Sequence, residues 1–354
     1  MTPLERTIRE MIAADGPMRL DRYMALCLGH PVHGYYMARE TFGEEGDFIT
    51  APEISQVFGE LIGIWCVAAW QAMGAPALFN LIELGPGRGA LMSDILRAAK
   101  AVPGFLAAAK IHLVEMSPRL RRIQHETIAG EATWYATLST VPEGPMVLVA
   151  NEFFDAIPIR QFERRDGRWL ERSVGLAGES LVIGLTDAET AACQGAPGKD
   201  GDVLEFAPAR TAIAGEIGAR VARHSGAALI IDYGHLVSAP GDTLQALRNH
   251  RHVPIMETPG ECDLTSHVDF EVLTNALRQG GAAVWPAITQ RAFLLAMGIE
   301  PRTAALAGRA DARMADMFQR AMARLVDESQ MGDLFKVVAA TSPEVATPYP
   351  FGKA

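Results

Sequence analysis

The stretch Leu81-Ile82-Glu83-Leu84-Gly85-Pro86-Gly87-Arg88-Gly89 carries the reading from which the rest follows. Phe79 to Leu84 reads as a short buried strand, apolar except for Asn80 and the carboxylate Glu83. A glycine-rich turn follows, and Leu91, Ile95, Leu96 and Ala99 then recur at helical spacing. Strand, glycine turn and helix make the first unit of a doubly wound α/β sheet, in which a nucleotide-like ligand sits beyond the carboxyl ends of the strands. Glycine lets the backbone curl tightly and approach that ligand with no Cβ in the way.

The identity of the ligand turns on the neighbours of the turn. Gly85-x-Gly87-x-x-Ala90 satisfies the dinucleotide fingerprint, which alone is a weak signal. The next strand, Ile111-His112-Leu113-Val114-Glu115, delivers its acidic end residue 30 positions after Gly85, where an NAD site expects about 20. A Glu-Leu-Gly-x-Gly-x-Gly run with a carboxylate closing the second strand resembles the class I S-adenosyl-L-methionine (AdoMet) methyltransferases. The resemblance implies that Glu83, Gly85, Pro86, Gly87 and Gly89 lie against the methionine part of AdoMet. It further implies that Glu115, with Met116 and Ser117 beside it, takes the ribose hydroxyls. On the residues alone, Glu115 is also readable as a surface carboxylate at a strand end.

Composition limits the alternatives. With 354 residues, 49% hydrophobic and 21% charged, the chain can bury one large core or two ordinary ones. A net charge of −10 argues against nucleic acid as the main partner and is compatible with a basic peptide or protein. Cys27, Cys66, Cys193 and Cys262 form no CxxC pair and read as free thiols in a reducing compartment. The most apolar run, Leu61 to Met73, is too short to span a bilayer, so no membrane insertion is expected. The start, Met1-Thr2-Pro3-Leu4-Glu5-Arg6, has neither a secretory core nor the acid-free pattern of a transit peptide, so the expected location is cytoplasmic.

Residues 1 to about 30 read as helical, with Leu4, Ile8, Met11 and Ile12 on one stripe and Leu20, Tyr23, Met24 and Cys27 on another. A glycine-rich, aromatic-bearing loop follows. Thr50-Ala51-Pro52-Glu53 then spells a capping box ahead of an apolar helix through about Met73. From Ala77 the pattern alternates, with strands near 79–84, 110–115, 132–135, 145–150 and 226–232 and helices near 88–100 and 118–128. Ser117-Pro118 is a strong helix start. Between the fourth and fifth strands lies a long insert, about 160–223, in which Arg165-Asp166-Gly167 marks a β-hairpin. After Asp232 the pattern predicts a loop region to about 265, helix near 267–279, strand at 282–285, more helix between 290 and 327, and a final strand at 334–340. The expected division is an N-terminal helical or lid region, 1–76, and an α/β methyltransferase domain, 77–354.

The fourth strand ends in Asn151-Glu152-Phe153-Phe154-Asp155-Ala156, an amide and two carboxylates at the crevice where this kind of sheet does chemistry. In class I methyltransferases the methyl acceptor is held after this strand. Arginine is permanently charged, with a pKa above about 12, and paired carboxylates can grip its fork and localise that charge. Asn151, Glu152 and Asp155 are thus candidate catalytic residues, the alternative being that Asp155 caps the next helical turn and Asn151 satisfies loop backbone. His235, after Ile230-Ile231-Asp232-Tyr233-Gly234, reads first as a loop residue and second as a proton acceptor. His250, His252, Cys262 and His267 match no zinc spacing, so no metal is expected.

The whole chain resembles the MidA family of AdoMet-dependent methyltransferases. The resemblance is carried by Gly46-Asp47-Phe48-Ile49-Thr50-Ala51-Pro52-Glu53-Ile54-Ser55 and Phe58-Gly59-Glu60, then the Glu83 to Gly89 run and Val114 to Pro118. It continues through Asn151 to Ala156, Asp232 to His235, Gly241 to Gln245 and Asp263 to Asp269. Mitochondrial members of that family are protein arginine methyltransferases that assist assembly of respiratory complex I. The resemblance makes Thr50 and Glu53 lid or cofactor contacts as well as a cap. It implies an AdoMet-dependent protein arginine N-methyltransferase whose acceptor is a complex I subunit. Three rivals stay open: an AdoMet-binding assembly chaperone without turnover, a small-molecule methyltransferase and, more distantly, an NAD-dependent dehydrogenase.

Overall fold

Five parallel strands form the centre of the sheet, in the spatial order Ala132–Tyr135, Ala109–Val114, Phe79–Leu84, Met146–Asn151 and Gly226–His235. Phe335–Thr341 joins antiparallel beside Gly226–His235, and Ala283–Val284 pairs antiparallel with it in turn. A plain 3-2-1-4-5-6 dinucleotide sheet has no antiparallel strand inserted ahead of its sixth. The result is an α/β fold with a mixed central sheet. The computed structural model describes residues 1–38, 50–187, 193 and 195–352. Gly46, Asp47, Phe48 and Ile49 of the sequence motif lie outside the described residues.

The strands are apolar on both faces because helices cover both. Phe79, Leu81, Val147, Val149, Leu229 and Ile231 share one core with the helices Gln56–Ala72 and Ala90–Ala99. Ile82, Leu84, Leu148, Ala150 and Ile230 share the other with Pro208–His224 and Phe270–Gln279. Alternate residues of one strand thus enter opposite cores, as the two-residue repeat demands.

The chain forms two compact units. One comprises Ile49–Phe154, Thr211–Val237 and Val268–Ala354 and holds this sheet; the other comprises Met1–Phe48, Asp155–Arg210 and Ser238–His267. Residues 1–76 are therefore shared between them. In the second of these units, helices Pro3–Asp15 and Leu20–Gly29 bury Leu4, Ile8, Ile12, Leu20, Tyr23, Met24 and Cys27 of the stripes predicted by periodicity, while Met11 is only partly buried. The predicted hairpin pairs Arg160–Arg165 with Arg168–Ala177, and Asp166 and Gly167 take φ of +51° and +74°. Two positive φ values are what a type I′ hairpin turn requires.

The segment 238–265, expected as loop, contains a three-stranded sheet of Gln245–Arg248, Arg251–Val253 and Asp263–Thr265. Its turn, Asn249-His250, also has positive φ at both positions; histidine there hides the signal that Asn-Gly would give. The capping box is also corrected. Ala51–Ile54 is a four-residue helix whose N-cap Thr50 makes no side-chain bond, and the Glu53 N–H bonds the Thr50 carbonyl at 2.9 Å. Ser55, in extended backbone, ends that helix and caps the next through a Val57 N–H bond of 3.2 Å.

Helices Pro208–His224 and Phe270–Gln279 meet at Gly218, where a Cβ would lie 2.2 Å from the Leu277 carbonyl oxygen. A backbone oxygen cannot rotate aside. Gly218→Ala should therefore cost about 1–3 kcal/mol, read as a lower urea midpoint; an unchanged midpoint contradicts this packing.

Candidate functional site

Strand register brings the candidate residues to one level. Leu84 pairs with Val114 on one side and Ala150 on the other, and Ala150 pairs with Ile230. The next residue of each strand is Gly85, Glu115, Asn151 and Ile231, so the glycine turn, the acidic end and the amide emerge along one row. Chain order reverses between Phe79–Leu84 and Met146–Asn151, the switch point at which open α/β sheets bind ligands.

Gly85, Gly87 and Gly89 have φ of +61°, +54° and +86°. A Cβ on Gly85 would lie 2.9 Å from the Phe153 ring, and one on Gly89 would lie 3.1 Å from Ile128. The turn thus needs glycine both for its dihedrals and for close packing. Pro86 is buried, and its carbonyl accepts the Gly89 N–H at 2.8 Å. The helix Ala90–Ala99 starts on Gly89, which has no side chain to cap it. The Glu83 carboxyl takes over part of that role by accepting the Met92 N–H.

Glu83 is 2% exposed, and its Oε2 accepts no bond among the described residues. Burial pushes its carboxyl up to about 8. Glu115 is also held above the ordinary carboxylate value by burial, opposed by the bonds its charged form accepts. Its Oε1 takes the Ser117 N–H at 2.7 Å and its Oε2 the Gln124 amide at 3.3 Å. Met116 is exposed, whereas Ser117 is buried and caps Pro118–Thr127 through the Leu120 N–H.

Gln124 and Arg121 are residues that sequence reasoning missed. Gln124 is fully buried, donates to the Gly87 carbonyl at 2.8 Å and accepts from Trp134 Nε1 at 2.7 Å. It ties the glycine turn to the acidic strand end. Arg121 clamps the Glu115 carbonyl with bonds of 2.8 and 2.5 Å. The available signal was a glutamine one helical turn after buried Leu120, on a stripe that periodicity makes apolar.

At the fourth strand, Asn151 is buried; its Nδ2 donates to Glu152 Oε1 at 3.0 Å, and its Oδ1 accepts no bond among the described residues. Glu152 sits at φ +51°, strained for a residue with a Cβ. Its Oε1 also accepts the Ala51 N–H at 3.0 Å, which brings the Thr50–Glu53 turn to the strand end. Asp232, at the end of the fifth strand, accepts the Phe154 N–H at 2.9 Å. His235 lies 3.6 Å from the Asp269 carboxylate. Asp155 belongs to the other unit, where its carbonyl accepts from Arg210 at 2.9 Å and from the Ser266 N–H at 3.1 Å.

These residues fit AdoMet. The cradle has three glycines in left-handed backbone, at two of which, Gly85 and Gly89, a Cβ would intrude; an acid held by Ser117 and Gln124 stands at the adjacent strand end, and Glu83 Oε2 and Asn151 Oδ1 are buried acceptors with capacity to spare.

A family described as S-adenosyl-L-methionine-dependent methyltransferases has a model that matches residues 61–287. The mitochondrial protein arginine methyltransferase NDUFAF7 of Danio rerio is 36% identical, over 92% of this chain and 83% of its own length. Its Homo sapiens counterpart is 34% identical over 96% and 83%. A solved methyltransferase-like protein of Burkholderia thailandensis, bound to S-adenosyl-homocysteine, superposes with a TM-score of 0.85 at 30% identity, covering 97% of this chain and 92% of that one. These relatives overturn the cytoplasmic expectation, since both NDUFAF7 proteins are named mitochondrial. Among the described residues no helix is long and apolar enough to cross a membrane.

Two outcomes test the site. Gly87→Val should cut AdoMet affinity at least tenfold by calorimetry while the fold persists by circular dichroism; unchanged affinity rejects the cradle. Glu83 concerns the ligand-free chain. Its folded value near 8 stands above the ordinary 4.5, so its protonated form is the one the fold favours. That stability is complete below about pH 4.5 and is lost as pH rises through 8. Glu83→Gln, uncharged throughout, should gain in melting temperature over the parent chain as pH climbs across this window; a constant difference contradicts the assignment.

Proposed function

Because the chain belongs to the MidA-like family of S-adenosyl-L-methionine-dependent methyltransferases, we propose that it methylates the guanidinium of an arginine side chain in a protein substrate. Bound AdoMet supplies an electrophilic methyl group. The chain's own task is to hold the acceptor in line with that methyl group and keep water away.

The observation that carries the proposal is Glu152. A glutamate held in left-handed backbone at the mouth of a parallel strand marks a position where the surrounding structure tolerates strain, as functional sites do. Its carboxylate is oriented by the Asn151 amide and the Ala51 N–H. A carboxylate fixed in this way can draw the guanidinium charge toward one edge of the fork and leave another nitrogen more nucleophilic. Thr50 and Glu53 are proposed to lie over the cofactor, at the turn whose Ala51 N–H Glu152 accepts. The relatives named protein arginine methyltransferases support the choice of arginine. The family resemblance extends the proposal to a respiratory complex I subunit as acceptor.

The test uses purified protein, methyl-labelled AdoMet and a cell extract, with the labelled residue identified by mass spectrometry. Arginine should carry the label. Glu152→Gln retains an oxygen for Asn151 and Ala51, so it should bind AdoMet as before yet transfer on the order of a hundredfold more slowly. Label on another residue type, or equal transfer by the variant, contradicts the proposal. AdoMet binding without transfer by the parent chain would favour the chaperone reading.

A further inference from the structure

A groove of about 690 Å³ is lined by none of the candidate site's residues. It is bounded by the carboxyl end of helix Ala90–Ala99 and the amino end of strand Ala109–Val114. The glycine turn and Glu115 stand at the opposite ends of these same two elements. The groove is therefore separate from the cofactor crevice, although one helix reaches both. Its volume falls within the range of small-molecule sites, about 300–1,000 Å³.

The lining combines two kinds of surface. Leu96, Leu106 and Ile111 give it apolar walls, while Arg97, Lys100 and Lys110 bring cations to it. Arg97 is already engaged, 2.6 Å from Asp94 and 3.2 Å from Glu60. Lys100 and Lys110 differ: among the described residues neither ammonium has a hydrogen-bond or ion-pair partner. The acidic residue in the lining, Glu131, is exposed and pairs with neither. Offsetting the helix dipole does not account for both lysines. Lys100 follows the helix but its ammonium bonds none of the last carbonyls, and Lys110 lies in a strand, which has little net dipole. Two uncompensated cations beside apolar walls are a notable concentration in a chain of net charge −10. The positive field and the apolar surface favour the same kind of guest, one with a charged head and a hydrocarbon body.

We propose that this groove binds a small amphipathic organic anion, with its carboxylate or phosphate head on Lys100 and Lys110 and its apolar body along Leu96, Leu106 and Ile111. The test titrates the full chain with hexyl phosphate by calorimetry, with inorganic phosphate and hexanol as separate arms. Hexyl phosphate should bind saturably at one site and at least tenfold more tightly than either control. The double substitution Lys100→Glu with Lys110→Glu should weaken it at least tenfold and leave AdoMet affinity unchanged, because both side chains are exposed and far along their elements from the glycine turn. Equal binding by the double variant, no binding by the parent chain, or equal affinity for inorganic phosphate or hexanol would each overturn the proposal.

Discussion

The turn out of strand Phe79–Leu84 has no room for a Cβ at Gly85 or Gly89, and the polar groups around it are organised by that constraint. Three glycines in left-handed backbone carry the chain into helix Ala90–Ala99, with the Phe153 ring closing on Gly85 and Ile128 on Gly89. Phe153 comes from the far side of the switch point and Ile128 from the end of helix Pro118–Thr127. The turn is thus clamped from both neighbouring strands' connections. A turn so confined presents backbone rather than side chains to the crevice, which is what close approach of a flexible cofactor chain requires.

Polar groups around the turn are arranged by the same confinement. Gly89 leaves the helix start without a side-chain cap, and Glu83 is buried in the strand where it can accept the Met92 N–H. Burying a carboxyl with a spare oxygen raises its affinity for a proton. Gln124 spends one donor group on Gly87 and Glu115 and its acceptor on Trp134, so the turn and the acidic end are held by one amide. Asn151 and Glu152 form the facing rim, where strain at Glu152 marks the acceptor side in the proposed function.

Periodicity and turn chemistry made most of the sheet legible. Phe79–Leu84 and Ala132–Tyr135 fall at the predicted residues, and Met146–Asn151 is displaced by one. Both N-terminal stripes point into a core because amphipathic spacing is a local property. What escaped depends on contacts distant in sequence. Thr50 and Ser55 start two successive helices, of which only the second has a side-chain cap, and the Ala51 N–H between them goes to distant Glu152. The strand Ser180–Thr186 has four apolar residues in seven, and three of its positions are exposed at the edge of its sheet, so alternation could not reveal it. Gln124 is polar on an apolar stripe, a pattern that becomes meaningful only once Gly87 and Trp134 are known to lie beside it. The places of the glycine turn and of Glu115 were legible because a strand, turn and helix followed by a parallel strand fixes where they fall; the amides that hold them are not so constrained.

In the proposed cofactor site the glycine turn and Glu115 together cup a sulfonium donor. A crystal structure of this chain with S-adenosylhomocysteine tests it most directly. The amino-acid end of the ligand should lie along Gly85–Gly89 and its ribose hydroxyls on the Glu115 carboxylate. Ligand density elsewhere, or none at saturating concentration, would contradict it.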